Sequence, residues 1–230
     1  MRVGYGGPMR TLYHFWISPA CRKVRLALNE KGLKYELVVE KSWEPREAFF
    51  ALNPAGDVPV LKDENDAVIA DSQAIVEYLE ESYQDIPLLP KGETARAETR
   101  RLIGWFDHKF RSEVTENLVD EKILKRLMRT GTPNTAAIRA GHHNIHYHLD
   151  YIEYLTERRN WLAGEELTLA DLAAAAQISA VDYLGDVPWD QHPAAKVWYS
   201  RIKSRPTFRP LLADNLPGMP APKHYADLDF

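Results

Sequence analysis

The stretch WISPACRKVRLAL, Trp16 to Leu28, decides how the rest of the chain is read. Trp16 and Ile17 close an apolar run that begins at "TLYHFW", Ser18 and Pro19 follow at once, and a basic, apolar-periodic pattern opens behind them. A small polar residue and a proline between a β-rich run and a helical one mark a strand-to-helix turn, the kind of turn that presents a side chain to a ligand. The same pair also caps a helix whatever the chemistry, because serine accepts a first-turn amide and proline is preset for the first helical position. Ser18 is therefore either an activating group or a cap.

Working outward, Thr11 to Tyr83 alternates short β-rich runs with helical ones: "TLYHFW", "PACRKVRLALNEKG", "YELVV", "PREAFFAL", "VPVLK", "AVIA" and "DSQAIVEYLEESY". Such alternation predicts an α/β unit with parallel and antiparallel strand pairs. In the helix after Pro19, Val24, Ala27 and Leu28 share a face ringed by Arg22, Arg25 and Lys31, with Gly32 as the stop, so an amphipathic helix packed on the sheet is expected. "QDIPLLPKGE" reads as an ordered linker. From Thr94 to Ala213 the pattern is helical throughout, including Thr135 to Arg159, with breaks at "TGTP", "AGEE" and "GDVPWDQHP". Domains at 11–84 and 94–214 follow, with an extended tail at 215–230. In "LTLADLAAAA", Thr168 and Asp171 have capping-box spacing before an alanine-rich run that must be buried, which is a structural role.

The 230 residues carry a net charge of −4 with both signs interspersed, which disfavours a nucleic-acid stripe and an anionic membrane surface. Cys21 is the only cysteine, excluding an internal disulfide framework and favouring a reducing, cytoplasmic setting. The leader "MRVGYGGPMR" lacks a signal-peptide core, and no window approaches the ~18 apolar residues of a spanning helix. His142 and His146 stand four apart in "GHHNIHYHLD", a spacing that zinc sites use, but no cysteine or suitably placed glutamate accompanies them, so no metal is expected. The tryptophans are expected mostly in the core, Trp43 being the most exposed.

Five motifs in order resemble the glutathione transferase superfamily: "SPACRKVRLAL", "NPAGDVPVL", "ADSQAIVEYLEE", "LTLADLAAAA" and "RIKSRPTFRPLL". The resemblance implies a thioredoxin-like domain followed by an all-helical domain, usually as a dimer meeting through Ile75 to Tyr83 and Arg96 to Phe110, where Trp105 or Phe106 would contribute. It implies a cis Val58-Pro59 bond whose backbone meets the peptide part of glutathione, Asp71 and Ser72 at its γ-glutamyl end, and Ser18 beside the thiolate. Ser18 stands where redox relatives keep an attacking cysteine and Cys21 where they keep the resolving one, so cysteine-pair redox chemistry is excluded; Cys21 reads as a buried filler.

Two features depart from the superfamily pattern. Just before the Val-Pro pair the superfamily mostly carries lysine, glutamine or another neutral or basic residue, near the glycyl end of the tripeptide, so the resemblance implies that Asp57 would oppose a carboxylate there, unless it simply faces water; Lys41 or Lys62 would offset it in part. The tail then continues for sixteen residues past the last family helix and ends "HYADLDF". The combination resembles an alphaproteobacterial branch whose members bind the division protein FtsZ and are regarded as binding factors, not enzymes. It implies a homodimer without cofactor that binds FtsZ filaments, regulates their assembly, curvature and constriction, and is recruited to the division site. The alternative it leaves is a glutathione transferase acting through Ser18. Tyr225, Asp227, Leu228, Asp229 and Phe230 suit a linear motif for a further division partner, or else Tyr225, Leu228 and Phe230 fold back on the helical domain.

Overall fold

Alternating side chains in RTLYH put Arg10, Leu12 and His14 inward along the strand β1 (Arg10–His14). A computed structural model of the chain describes residues 9–44 and 46–228. β1 pairs in parallel with β2 (Tyr35–Val39), reached through the helix α1 (Pro19–Glu30), and antiparallel with β3 (Val60–Lys62), which pairs antiparallel with β4 (Val68–Ala70). The strand order is β2-β1-β3-β4, the mixed sheet expected of the first unit. Between β2 and β3 lies the short helix α2 (Glu47–Phe50). The helix α3 (Ser72–Ser82) follows β4 and packs beside α1, burying Ile75, Val76 and Leu79 in a core shared with Leu12, Val24, Leu28, Val60 and Leu61.

The helix α1 is more buried than its amphipathic pattern predicts. Arg22, Lys23 and Arg25 are inside along with the apolar face; Arg22 Nε donates to Trp16 O at 2.8 Å and Lys23 Nζ to Gln73 Oε1 at 3.3 Å, the kind of pairing under which long cationic side chains tolerate burial. A second buried polar group closes the unit: Asp63 forms an ion pair with Arg10, Oδ1 lying 2.8 Å from Nε, and accepts from the hydroxyls of Tyr78 at 2.6 Å and Tyr83 at 2.5 Å. Burial pushes its carboxyl up, but the two hydroxyls and the guanidinium outweigh that and lower its pKa.

The chain divides into two compact units, one ending at Pro87 and the other beginning at Leu88. The second unit is helical. The helix α4 (Glu93–Gly104) continues through Trp105–Leu124, wound as a π-helix, into α5 (Lys125–Met128). Phe106, Phe110, Val114, Leu118 and Ile123 are buried there, a spacing of four, four, four and five that keeps them on one face of a helix wider than the 3.6-residue α form. Across this face lies α6 (Thr135–Thr156), where Asn134 caps the start by accepting from Ala136 and Ala137. The crossing is tight at Gly141, because a Cβ there would stand 2.8 Å from Leu118 Cγ and 2.9 Å from Asn117 Cβ. The helices α7 (Leu169–Asp182) and α8 (Pro193–Lys203) complete the bundle, followed by the short α9 (Arg209–Leu212) and α10 (Lys223–Ala226).

Every residue of α7 is buried, which its alanines allow by letting neighbouring helices approach. The expected capping box is present: Thr168 Oγ1 accepts from Ala170 N at 3.2 Å, and Asp171 accepts from Thr168 N at 3.0 Å. Asp171 also accepts from Leu162 N at 2.9 Å and Trp198 Nε1 at 3.0 Å, so one carboxylate ties three segments together.

The tail corrects the expectation of an extended appendage. Leu216 and Tyr225 are both buried, Leu216 N donates to the Tyr183 hydroxyl at 2.8 Å, that hydroxyl donates to Met219 O at 2.8 Å, and Lys203 Nζ donates to His224 O at 3.0 Å. A tight turn closed by Met219 N donating to Leu216 O at 3.0 Å lies in this segment, and burial of the Leu216 and Tyr225 side chains offsets the cost of ordering it. Among the described residues, no helix is long and apolar enough to cross a membrane.

Candidate functional site

The sheet register gathers the residues singled out by sequence at one end of the first unit. Tyr13 faces Val60 and Val60 faces Ala70, so the end of β1, the start of β3 and the end of β4 lie side by side. Ser18 follows the first, Val58 and Pro59 precede the second, and Asp71 and Ser72 follow the third. The Val58-Pro59 bond is cis. The turn that delivers it is set by Asn53, whose Nδ2 donates to Asp57 O at 2.8 Å and whose Oδ1 accepts from Ala55 N at 3.1 Å. Gly56 is required there: its φ is +71° and a Cβ would stand 2.9 Å from the Phe50 ring.

Ser18 is the N-cap of α1, and its Oγ accepts from Cys21 N at 3.4 Å. That contact uses an acceptor site and leaves the hydroxyl proton available to a thiolate, so capping and thiolate stabilisation are compatible in one side chain. Cys21 itself is a buried filler, as expected: its thiol is pushed up to about 11 by burial, and its Sγ accepts from Phe15 N at 3.4 Å. Sequence reasoning passed over His14, the last residue of β1. It is fully buried, neither ring nitrogen has a hydrogen-bond partner among the described residues, and burial together with the Arg25 charge lowers its pKa to about 3.

Asp71 holds the N-terminus of α3, its Oδ1 accepting from Gln73 N at 2.8 Å and Ala74 N at 3.1 Å. Two first-turn amides that would meet an incoming carboxylate are thereby already engaged. Its φ of +76° costs on the order of 1–3 kcal/mol in a residue with a side chain, and such strain concentrates at ligand sites. Ser72 is buried at the first position of α3. Asp57 is exposed and faces water, while Lys41 pairs with Glu44 at 3.0 Å and Lys62 with Asp66 at 3.1 Å. Charge opposition at Asp57 is therefore weaker than a buried carboxylate would produce.

In the second unit several expectations change. Tyr225 is buried, with its hydroxyl 3.3 Å from Leu211 O and its ring 5.2 Å from that of Tyr183, so it is unavailable as a docking anchor. Asp227 is exposed, Leu228 is half-buried, and Asp229 and Phe230 lie outside the described residues. Phe106 and Phe110 are core residues of their own unit, and Ile75, Val76 and Leu79 of theirs, which removes them from any dimer contact. Trp105 remains accessible and heads an aromatic strip that sequence reasoning missed. Its ring centroid lies 6.0 Å from that of Tyr147 and 4.6 Å from that of Tyr151, with Tyr154 a further step along α6. Tyr147 and Tyr154 are 57% and 52% exposed. The i, i+4, i+7 spacing in "YHLDYIEY" was the available signal.

His142 and His146 do not act together. His142 lies 3.6 Å from Asp186, whereas His146 Nδ1 is 2.8 Å from His192 Nε2. His148 is buried between Trp105 Nε1 at 3.1 Å and Glu113 Oε2 at 2.9 Å, and burial lowers its pKa to about 4 although Glu113 works against the shift. A cleft of about 610 Å³ is lined by Lys122, Lys125, Arg126 and Arg129 and suits an anionic group, two of its cations being already held by Asp186 and Glu121.

Residues 17–82 match the glutathione S-transferase N-terminal domain and residues 140–206 the glutathione S-transferase C-terminal domain. FtsZ-localized protein A of Caulobacter vibrioides is 50% identical over 224 residues, covering 96% of this chain and 98% of that protein. A crystal structure of a glutathione S-transferase from Rhodospirillum rubrum F11 superposes with a TM-score of 0.95 at 55% identity, over 96% of this chain and 100% of that one. FzlA from C. crescentus superposes with a TM-score of 0.93 at 50% identity, with the same coverage. Two domain matches in the expected order, and similarity running the length of the relatives, show that this chain belongs to the glutathione S-transferase family.

Proposed function

We propose that this chain is a non-catalytic division protein that associates with FtsZ filaments and acts on their assembly, curvature and constriction after recruitment from the cytoplasm to the division site. The observation that carries this is the 50% identity to FtsZ-localized protein A, which extends over 98% of that protein. Asp71 already engaged by the first-turn amides of α3 is consistent with a transferase fold used for binding. A homodimer meeting through Trp105, Tyr147, Tyr151 and Tyr154 would present each filament-binding surface twice, which raises avidity without a strong single contact. A further division partner at the tail has Asp227 and Leu228 to engage among the described residues. Co-sedimentation of the purified chain with FtsZ polymers tests the association. The expected result is a chain that pellets with polymer and stays in the supernatant when FtsZ is unpolymerised; equal recovery in both supernatants would overturn it.

A second reading has specific support. Ser18, Val58, Pro59, Asp71 and Ser72 stand on three loops at one end of the sheet, the arrangement a glutathione transferase would use with glutathione as cofactor. Retention on immobilised glutathione, followed by elution with free glutathione, would favour it over the non-catalytic reading.

A further inference from the structure

On the face of α6, His146, Asp150 and Glu153 follow at i, i+4 and i+7, and His192 caps the facing helix α8. His192 is 4% exposed, and its Nδ1 is buried with no hydrogen-bond partner among the described residues, although Asp150 Oδ1 lies 3.3 Å away and Glu153 Oε2 3.7 Å away. One ligating atom from each of Asp150, Glu153 and His192 falls within 4.8 Å of the others. Tetrahedral zinc with bonds of about 2.0–2.1 Å has ligand-to-ligand edges of about 3.3–3.4 Å, so the two measured separations need little adjustment. Asp150 is largely exposed and can swing to close the third edge, which also provides an entry path and an open position for water.

The surroundings orient these atoms as outer-shell groups orient ligands. Glu153 Oε1 accepts from Ala194 N at 2.8 Å and Ala195 N at 3.3 Å, holding Oε2 toward His192. His146 Nδ1 stands 2.8 Å from His192 Nε2, and a proton on that Nε2, donated to His146, leaves the lone pair of His192 on Nδ1, where the two carboxylates converge. We infer that His192 Nδ1, Asp150 and Glu153 form a zinc site with His146 as the outer-shell acceptor. The cation would join three electron-rich atoms that otherwise face one another, and would tie α6 to the start of α8. A histidine donor with two carboxylates favours zinc over magnesium or calcium, which select all-oxygen sites.

The test is calorimetric titration of zinc chloride into the full chain after chelator treatment, alongside the visible spectrum of the cobalt(II) form. One equivalent binding with a Kd of about 1 μM or tighter, and a tetrahedral cobalt spectrum, are expected; magnesium should give no heat. Asp150→Asn, on an exposed side chain that caps nothing, should weaken zinc more than about tenfold and abolish the spectrum, and His146→Ala should weaken it about tenfold through the outer shell. His142→Ala should leave binding unchanged. Absence of zinc binding by the native chain, native-like binding by Asp150→Asn, or loss of binding in His142→Ala would each overturn the assignment, the last by moving the metal to the surface histidines.

Discussion

Tyr225→Ala asks whether the tail belongs to the fold or to a partner. The side chain is 1% exposed, its ring meets Tyr183 edge-on at 5.2 Å, and its hydroxyl donates to Leu211 O at 3.3 Å. Truncating a buried aromatic to alanine costs about 3–5 kcal/mol from lost transfer energy and the cavity left behind. A segment near the chain end can also detach, which caps the loss at the energy of docking it, so about 3 kcal/mol is the expected value. In a chain of this size that lowers Tm by about 6–12 °C. Tyr225→Phe removes only a long hydrogen bond and should cost less than about 1 kcal/mol. Removal of residues 223–230 should resemble Tyr225→Ala, because it also strips the His224 carbonyl from Lys203 Nζ. Denaturant unfolding of the three variants, read by far-ultraviolet circular dichroism, gives the comparison. If Tyr225→Ala and the truncation both unfold within about 0.5 kcal/mol of the native chain, the buried tyrosine contributes nothing and the tail is free for a partner.

Asp171→Ala strands the amides of Leu162 and Thr168 and the Trp198 indole, and should cost about 4 kcal/mol or more in denaturant unfolding; Asp171→Asn, which keeps an acceptor for one pair of donors, should cost about half as much. Gly141→Ala drives a methyl into Leu118 and Asn117 and should destabilise by about 1–3 kcal/mol by the same assay, although alanine favours a helix over glycine. The buried His148 has its pKa lowered to about 4 from the ordinary 6.5, so the unfolded chain binds more protons between those values, and stability falls as pH drops through that window, by up to about 3 kcal/mol. His148→Gln should flatten the stability profile between pH 4 and 6.5 relative to the native chain; an unchanged slope would show that His148 is not the titrating group.

Local chemistry determined much of this protein. Ser18-Pro19 opens α1, Asn134 opens α6, and Thr168 with Asp171 opens α7, because a cap is a contract between neighbours in sequence. The motif order from "SPAC" to "RIKSRP" identified the family, and the short β-rich runs between helical ones located the strands, since those features are written at short range. What sequence left open depended on long-range packing. Arg22, Arg25 and Lys31 read as a basic ring around the apolar face of α1 and are buried, because partners distant in sequence, such as Glu80 at 2.7 Å from Lys31 Nζ, decide whether a cation can be enclosed. Tyr225 read equally as an anchor for another protein or for its own domain, and the Tyr183 hydroxyl, accepting from Leu216 N and donating to Met219 O, brings the tail back. His146 was legible only as a partner for His142, four residues away on its own helix. The structure instead sets it against His192, on a different element, because side chains that share chemistry across 46 residues meet only once the helices pack.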